Sequence, residues 1–213
     1  MTGPVARLAA LASTALLTVG CVDTLPDIET DAARAAIEQL ADANLGNEPG
    51  SADLDECPIA GAARLIDQSF DLIGDDLLPP PTADRFAMVS RVDDATVVSC
   101  GRASDTRRIG IRASVTDASI DELSVQLLPN ESKDAIEVRE RPGDRGGDTA
   151  RICVDGPEAA DVCSYLWTDG ALAISVDAFG ETAIRIQMNR VEDQARPLIQ
   201  LIVDGVAEGA ATS

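Results

Sequence analysis

Cysteine placement constrains the fold of this chain more than any other sequence feature. The five cysteines are Cys21, Cys57, Cys100, Cys153 and Cys163. Cys21 directly follows an apolar N-terminal stretch, and without it an even set of four remains, as expected for two disulfides in an oxidising compartment. Four cysteines allow three pairings. We favour Cys57–Cys100 together with Cys153–Cys163, because the second pair flanks the turn Asp155-Gly156-Pro157 and can meet across a hairpin. A redox function is the alternative, but the chain contains no C-x-x-C spacing.

Residues 1–20 have the pattern of a signal peptide, with Arg7 as the positive charge and an apolar stretch from Leu8 to Val19. That stretch of roughly 12 residues is too short to cross a bilayer core, which needs about 20. The segment Leu16-Leu17-Thr18-Val19-Gly20-Cys21 resembles the lipobox of bacterial lipoproteins, which implies a lipid on Cys21. Two acyl chains there suffice for stable anchoring to the extracytoplasmic face of the cell membrane. The alternative is ordinary signal-peptidase cleavage after Gly20, which leaves Cys21 as an unpaired thiol.

Charge and histidine content exclude several function classes. Lysine and arginine number 17 and aspartate and glutamate 37, a net charge of −20. Binding to nucleic acid depends on lysine and arginine, so we expect no nucleic-acid partner, and any charged partner is expected to be cationic. The chain has no histidine, which removes the Ser-His-Asp triad, histidine metal ligation and imidazole acid–base chemistry. We therefore predict no catalytic residue, no metal site and no cofactor.

Two segments follow the leader. Residues 21–50 are acidic and polar, and we interpret them as a tether that holds one weak helix, with Thr30 as N-cap and Gly46 as its end. Residues 51–210 are predicted to form a single domain. It opens with a helix that begins at Pro58 and ends at Gly74, since apolar residues recur there at helical spacing.

The rest of the domain alternates between strand and helix signals. Strands are predicted over 95–100, 107–116, 135–139, 150–155, 162–168, 171–177 and 182–190. The capping box Ser119-Ile120-Asp121-Glu122 predicts a short helix over 120–128, and an apolar stripe predicts a closing helix over 193–208. The expected fold is α+β: a mostly antiparallel sheet of about five to seven strands, with the N- and C-terminal helices packed on one face, and two disulfides.

Two aromatic residues lie on the same face of one predicted strand as Cys163. They are Tyr165 and Trp167. One interpretation packs both rings over the disulfide in the core. The alternative makes them an exposed contact for a partner, since Trp and Tyr dominate binding hot spots.

The order of features from about residue 50 to 210 resembles a known class of proteins. Asp55-Glu56-Cys57-Pro58 opens a helix, Ser99-Cys100-Gly101 lies on a strand, and a later cysteine pair precedes a C-terminal helix. This resembles small actinobacterial cell-envelope lipoproteins of unknown function, whose disulfide-stapled domain is similar to extracellular sensor domains of membrane kinases. The resemblance implies no catalytic residues.

The sequence thus favours a lipid-anchored extracytoplasmic binding or accessory module of the cell envelope. It would contact the membrane through Cys21 and engage an envelope protein or a small apolar or cationic ligand. A carboxylate-dependent envelope hydrolase and a purely structural envelope lipoprotein are the alternatives. A deep apolar pocket with converging polar groups would favour binding, whereas two carboxyl groups about 5–9.5 Å apart in a cleft would favour hydrolysis.

Overall fold

The computed structural model describes residues 27–72, 84–92, 95–104, 107–127, 137–155, 160–181, 199–200 and 202–208. The leader, Cys21 and the strand predicted over 182–190 lie outside these residues. The helices are α1 (Asp31–Leu45), α2 (Ala62–Leu72) and α3 (Ile120–Leu127), and residues 199–200 and 202–208 are also helical. The strands are β1 (Gly50–Asp53), β2 (Asp84–Val92), β3 (Ala95–Ala103), β4 (Arg108–Val115), β5 (Glu137–Asp144), β6 (Gly147–Asp155), β7 (Ala160–Thr168) and β8 (Leu172–Glu181).

All strands join one antiparallel sheet in the order β1-β2-β3-β4-β8-β7-β6-β5. Two four-stranded meanders therefore meet at the β4–β8 pair. The predicted antiparallel sheet with helices and two disulfides is confirmed, although it has eight strands rather than five to seven. Strands β1 and β2 were not predicted. In β2 the run Phe86-Ala87-Met88-Val89 is apolar on both faces, so the sequence shows no alternation, although only Ala87 and Val89 are buried.

One hydrophobic cluster forms most of the core. It joins buried residues of α1, α2 and 199–208 with alternate residues of the central strands, among them Ile109, Ile111 and Ala113 of β4. Helix α1 is part of this cluster through five residues, which are Ala33, Ala36, Ile37, Leu40 and Ala41. The folded unit therefore includes α1, which lies before the predicted boundary at residue 51.

The start of α1 is fixed to the far meander by polar contacts. The Thr30 hydroxyl makes no capping bond to the helix and instead donates to the Asp169 carboxylate at 2.6 Å. Burial would raise the pKa of Asp169, but the Thr30 hydroxyl, the backbone N–H groups of Leu172 and Ala171, and the charge of Arg34 together hold that pKa below its usual value. The contact holds the N-terminus of α1 against the turn between β7 and β8.

Helix α2 begins at Ala62, four residues later than the predicted start at Pro58. Gly61 has a φ of 77°, which is incompatible with a right-handed helix. The preceding residue, Ala60, donates its N–H to the carbonyl of Gly205 at 3.1 Å. The backbone before α2 is therefore bonded to the C-terminal helical residues at Ala60, and the right-handed helix starts after Gly61.

Two local predictions are confirmed in detail. The Ser119 N–H donates to the Glu122 carboxylate at 2.8 Å and the Glu122 N–H donates to the Ser119 hydroxyl at 3.3 Å, as a capping box requires. The bond from the Ser119 N–H, together with one that the Ser119 hydroxyl donates to the same carboxylate at 2.9 Å, lowers the pKa of Glu122. The turn predicted within 143–148 lies at Arg145 and Gly146, whose φ values of 59° and 80° are typical of a two-residue hairpin turn.

Both favoured disulfides are present. Cys57, in the loop before α2, is bonded to Cys100 of β3, with 5.6 Å between their Cα atoms. Cys153 and Cys163 are directly opposite each other on β6 and β7 and are bonded across the hairpin. Helices within the described ranges are all too short or too polar to cross a membrane.

Candidate functional site

The sheet presents a second face, made by the residues that alternate with its core positions. On β4 this face consists of Arg108, Gly110, Arg112 and Ser114. Helix α3 packs against part of it, where Ala150, Ile152 and Leu166 form a small second cluster with Ile120 and Leu123. We call this side the α3 face. The strand register brings residues of both meanders together on it, because β4 and β8 are neighbours.

A row of small and polar residues crosses the centre of the α3 face. Gly101 of β3 pairs with Gly110 of β4, Gly110 with Asp177 of β8, and Asp177 with Ser164 of β7. Because glycine has no side chain, the two glycines leave a depression in the surface of the α3 face. The rows on either side carry the larger side chains of Arg108 and Arg112.

The ring of Phe86 covers the first of the two glycines. A Cβ atom at Gly101 would overlap both this ring and the carbonyl oxygen of Ile109, so only glycine fits there. At Gly110 a Cβ would lie 3.6 Å from the ring, an ordinary contact, so a Cβ fits there without overlap. The guanidinium of Arg108 lies over the same ring, 4.7 Å from its centre, as a cation–π pair.

Asp177 is the centre of a hydrogen-bonded network in this row of small and polar residues. One carboxylate oxygen accepts from the Ser164 hydroxyl at 2.8 Å and the other accepts from the Ser175 hydroxyl at 3.1 Å. A guanidinium nitrogen of Arg112 lies 3.7 Å from Asp177, beyond hydrogen-bond distance. The two serines therefore satisfy the carboxylate, while Arg112 neutralises it through space.

These features enclose a groove of about 620 Å³ on the α3 face, within the 300–1,000 Å³ typical of ligand sites. We call it the α3-face groove. Its principal side chains are Phe86, Arg108, Arg112, Val162, Asp177 and Phe179. Apolar walls with a few fixed polar groups are the usual composition of a ligand site. A separate, smaller cavity of about 110 Å³ is lined by Arg112 and by Leu123 of α3.

Another cavity lies beside the Cys57–Cys100 disulfide. It measures about 340 Å³ and is lined in part by Asp55, Glu56 and Arg85. Both of these carboxylates are exposed. Exposure leaves both carboxylates well solvated. The α3-face groove is larger and has the more buried polar network, so it is the stronger candidate.

None of the described residues that the sequence analysis selected as site residues lines the groove. Cys21 lies outside the described residues, and the other four cysteines form the two disulfides. Tyr165 and Trp167 are 3% and 0% exposed and belong to the main core cluster, so the core interpretation applies and they offer no surface to a partner. Alternation on β7 places both on the face opposite the groove.

The groove residues were not predicted from the sequence to form a site. One signal was available, because 107–116 alternates and therefore places Arg108 and Arg112 on its polar face. Two arginines on one face of a central strand are noteworthy in a chain with 17 basic and 37 acidic residues. Their relation to Asp177 required knowledge that β4 pairs with β8.

The candidate site is supported by the geometry of the groove. Over the described ranges, no group of three or more Cys, Asp or Glu side chains is placed to hold a metal ion. No protein-family model, no curated protein and no solved structure matches the chain.

Proposed function

We propose that the protein is a lipid-anchored extracytoplasmic binding module that holds a small ligand in the α3-face groove. The observation that carries this proposal is the groove itself, where apolar walls converge on the hydrogen-bonded set of Asp177, Ser164 and Ser175. Fixed polar groups of this kind orient a ligand, whereas the apolar walls contribute binding free energy.

In this proposal the N- and C-terminal helices pack on one face of the sheet and leave the other face for the ligand. The main hydrophobic cluster supports this arrangement, since it contains α1, α2 and residues 199–208. Export from the cytoplasm is supported by the two disulfides, which persist in oxidising compartments. The lipid on Cys21 is supported by the lipobox-like sequence before it.

Hydrolysis gains no support from the groove. A glycosidase needs two carboxyl groups across the scissile bond. Among the described residues that line the groove, Asp177 is the one carboxylate, and both its oxygens already accept hydrogen bonds from serine. We therefore propose binding rather than turnover.

The groove is testable with a neutral apolar fluorophore. We expect N-phenyl-1-naphthylamine to bind the exported, disulfide-bonded protein with increased fluorescence. Gly110→Leu should weaken this binding at least tenfold, because the new side chain enters the groove from a position where a Cβ has room. Fluorescence titration of both proteins measures the ratio of their affinities.

Ser90→Leu provides the matched control. It adds the same side chain to the α3 face, on β2, at a position that does not line the groove. Its affinity for the fluorophore should equal that of the wild type. Equal affinity in all three proteins, or no binding by the wild type, would refute the proposed site.

Anchoring is tested by cell fractionation. We expect the wild type in the membrane pellet and Cys21→Ser either in the soluble fraction or with its leader uncleaved, because two acyl chains anchor stably. Ser13→Ala, a change within the leader but outside the lipobox-like segment, should fractionate as the wild type does. A mature wild type whose intact mass equals that of the bare polypeptide would contradict lipidation.

A further inference from the structure

We propose that the ligand of the α3-face groove is an anionic amphiphile, with its anionic group on Arg108 and its apolar body between Phe86 and Phe179. The inference rests on the proposed function and names the chemical class of the ligand. A carboxylate or a phosphate ester would satisfy the same chemistry.

Arg108 carries a positive charge that no described residue neutralises. Its guanidinium makes no ion pair with them and lies on the Phe86 ring, at 4.7 Å from the ring centre. A guanidinium stacked in this way keeps its N–H edge available for two parallel hydrogen bonds to a carboxylate or phosphate. The stacking also limits the freedom of the side chain, so less entropy is lost on binding.

Arg112 is the weaker anion site of the two. It lies four residues along β4, about 13 Å away in a strand that rises about 3.3 Å per residue. Its charge is offset by Asp177 at 3.7 Å, although its side chain remains 44% exposed. The carboxylate of Asp177 would repel an anion placed beside Arg112, which is why we assign the anionic group to Arg108.

Apolar surface surrounds Arg108 on the groove side. Phe179 is its direct partner on β8, and Val162 is the partner of Phe179 on β7. Phe86 closes the other side, above the two glycines. A ligand that reaches Arg108 through the groove therefore contacts apolar side chains on both sides, which favours a molecule with an apolar body.

The overall charge of −20 does not oppose this assignment at short range. At physiological ionic strength the Debye length is about 8 Å, so distant exposed carboxylates are screened. A cation in direct contact with the ligand is screened much less. The acidic surface therefore slows the approach of an anion, whereas Arg108 determines the headgroup that is held.

Four ligands with the same chain and different headgroups test the inference. Calorimetric titration of the exported protein compares octanoate, octyl phosphate, octanol and octylammonium. We expect one or both anions to bind about five- to tenfold more tightly than octanol, and octylammonium more weakly than octanol. Octanoate and octyl phosphate distinguish a carboxylate ligand from a phosphate ligand.

Three variants test whether Arg108 causes the tighter binding of the anions. Arg108→Gln should remove the advantage of the anions over octanol within that variant, whereas Arg108→Lys should retain part of it. Arg64→Gln, at an exposed position on α2, makes the same change in net charge and should have no effect.

Binding of octanol or octylammonium as tight as that of both anions would overturn the inference and leave the fluorophore result intact. An anion preference that persists in Arg108→Gln, or no binding by any of the four, would also overturn it. Failure of the proposed groove is seen separately, as equal fluorophore affinity in the wild type and Gly110→Leu.

Discussion

Trp167→Ala is expected to lower the free energy of unfolding by about 3–5 kcal/mol. Trp167 is 0% exposed and lies in the main core cluster. Its ring packs so closely on the adjacent hairpin that a Cβ at Gly147 would lie 2.7 Å from it. Removal of the ring loses this buried contact and leaves a cavity in the core. Urea denaturation of the disulfide-bonded protein measures the loss.

Val92→Ala is the control for this substitution. Val92, at the end of β2, is 56% exposed, so its truncation should change stability by less than about 0.5 kcal/mol. A loss below about 1 kcal/mol for Trp167→Ala would show that the ring is not a core residue. That result would restore the interpretation of Trp167 as a contact for a partner.

Replacing both Cys57 and Cys100 with alanine is expected to destabilise the protein by about 4 kcal/mol. The bond closes a loop with a sequence separation of 43, against 10 for Cys153–Cys163. In the chain-entropy account the longer loop restricts the unfolded chain more, and the shorter one contributes about 3 kcal/mol. Denaturation of the two double variants measures both losses.

The order of the two losses is the informative result. A larger loss for the Cys153–Cys163 variant would show that unfolded-chain entropy does not govern the contributions of these bonds. Either loss is a large part of the 5–15 kcal/mol by which a typical domain is stable. Both variants are therefore best compared at low temperature.

Local features of the fold could be predicted from the sequence because each depends on a few neighbouring residues. The capping box at Ser119, the turn at Gly146 and the Cys153–Cys163 hairpin are examples. The packing of α1 could not be predicted in this way. Its apolar stripe is thin, and the polar contact at its start, between Thr30 and Asp169, joins residues 139 positions apart.

The groove could be anticipated only in part. Alternation along 107–116 assigns Arg108 and Arg112 to one face, but nothing in the sequence indicates that β4 is beside β8. Asp177, Ser164 and Phe179 join the site only through that pairing of the two meanders. The overall acidic charge predicted a cationic partner, whereas the groove presents an arginine, because net charge does not report the local arrangement of charges.

The location of the bound fluorophore tests the central claim most directly. Amide chemical shifts of isotopically labelled, disulfide-bonded protein are recorded during titration with N-phenyl-1-naphthylamine. The account predicts shifts that are largest around Gly110, Asp177 and Ser164, and small in α1. Shifts concentrated in α1 or beside the Cys57–Cys100 disulfide, with the centre of the α3 face unchanged, would contradict it.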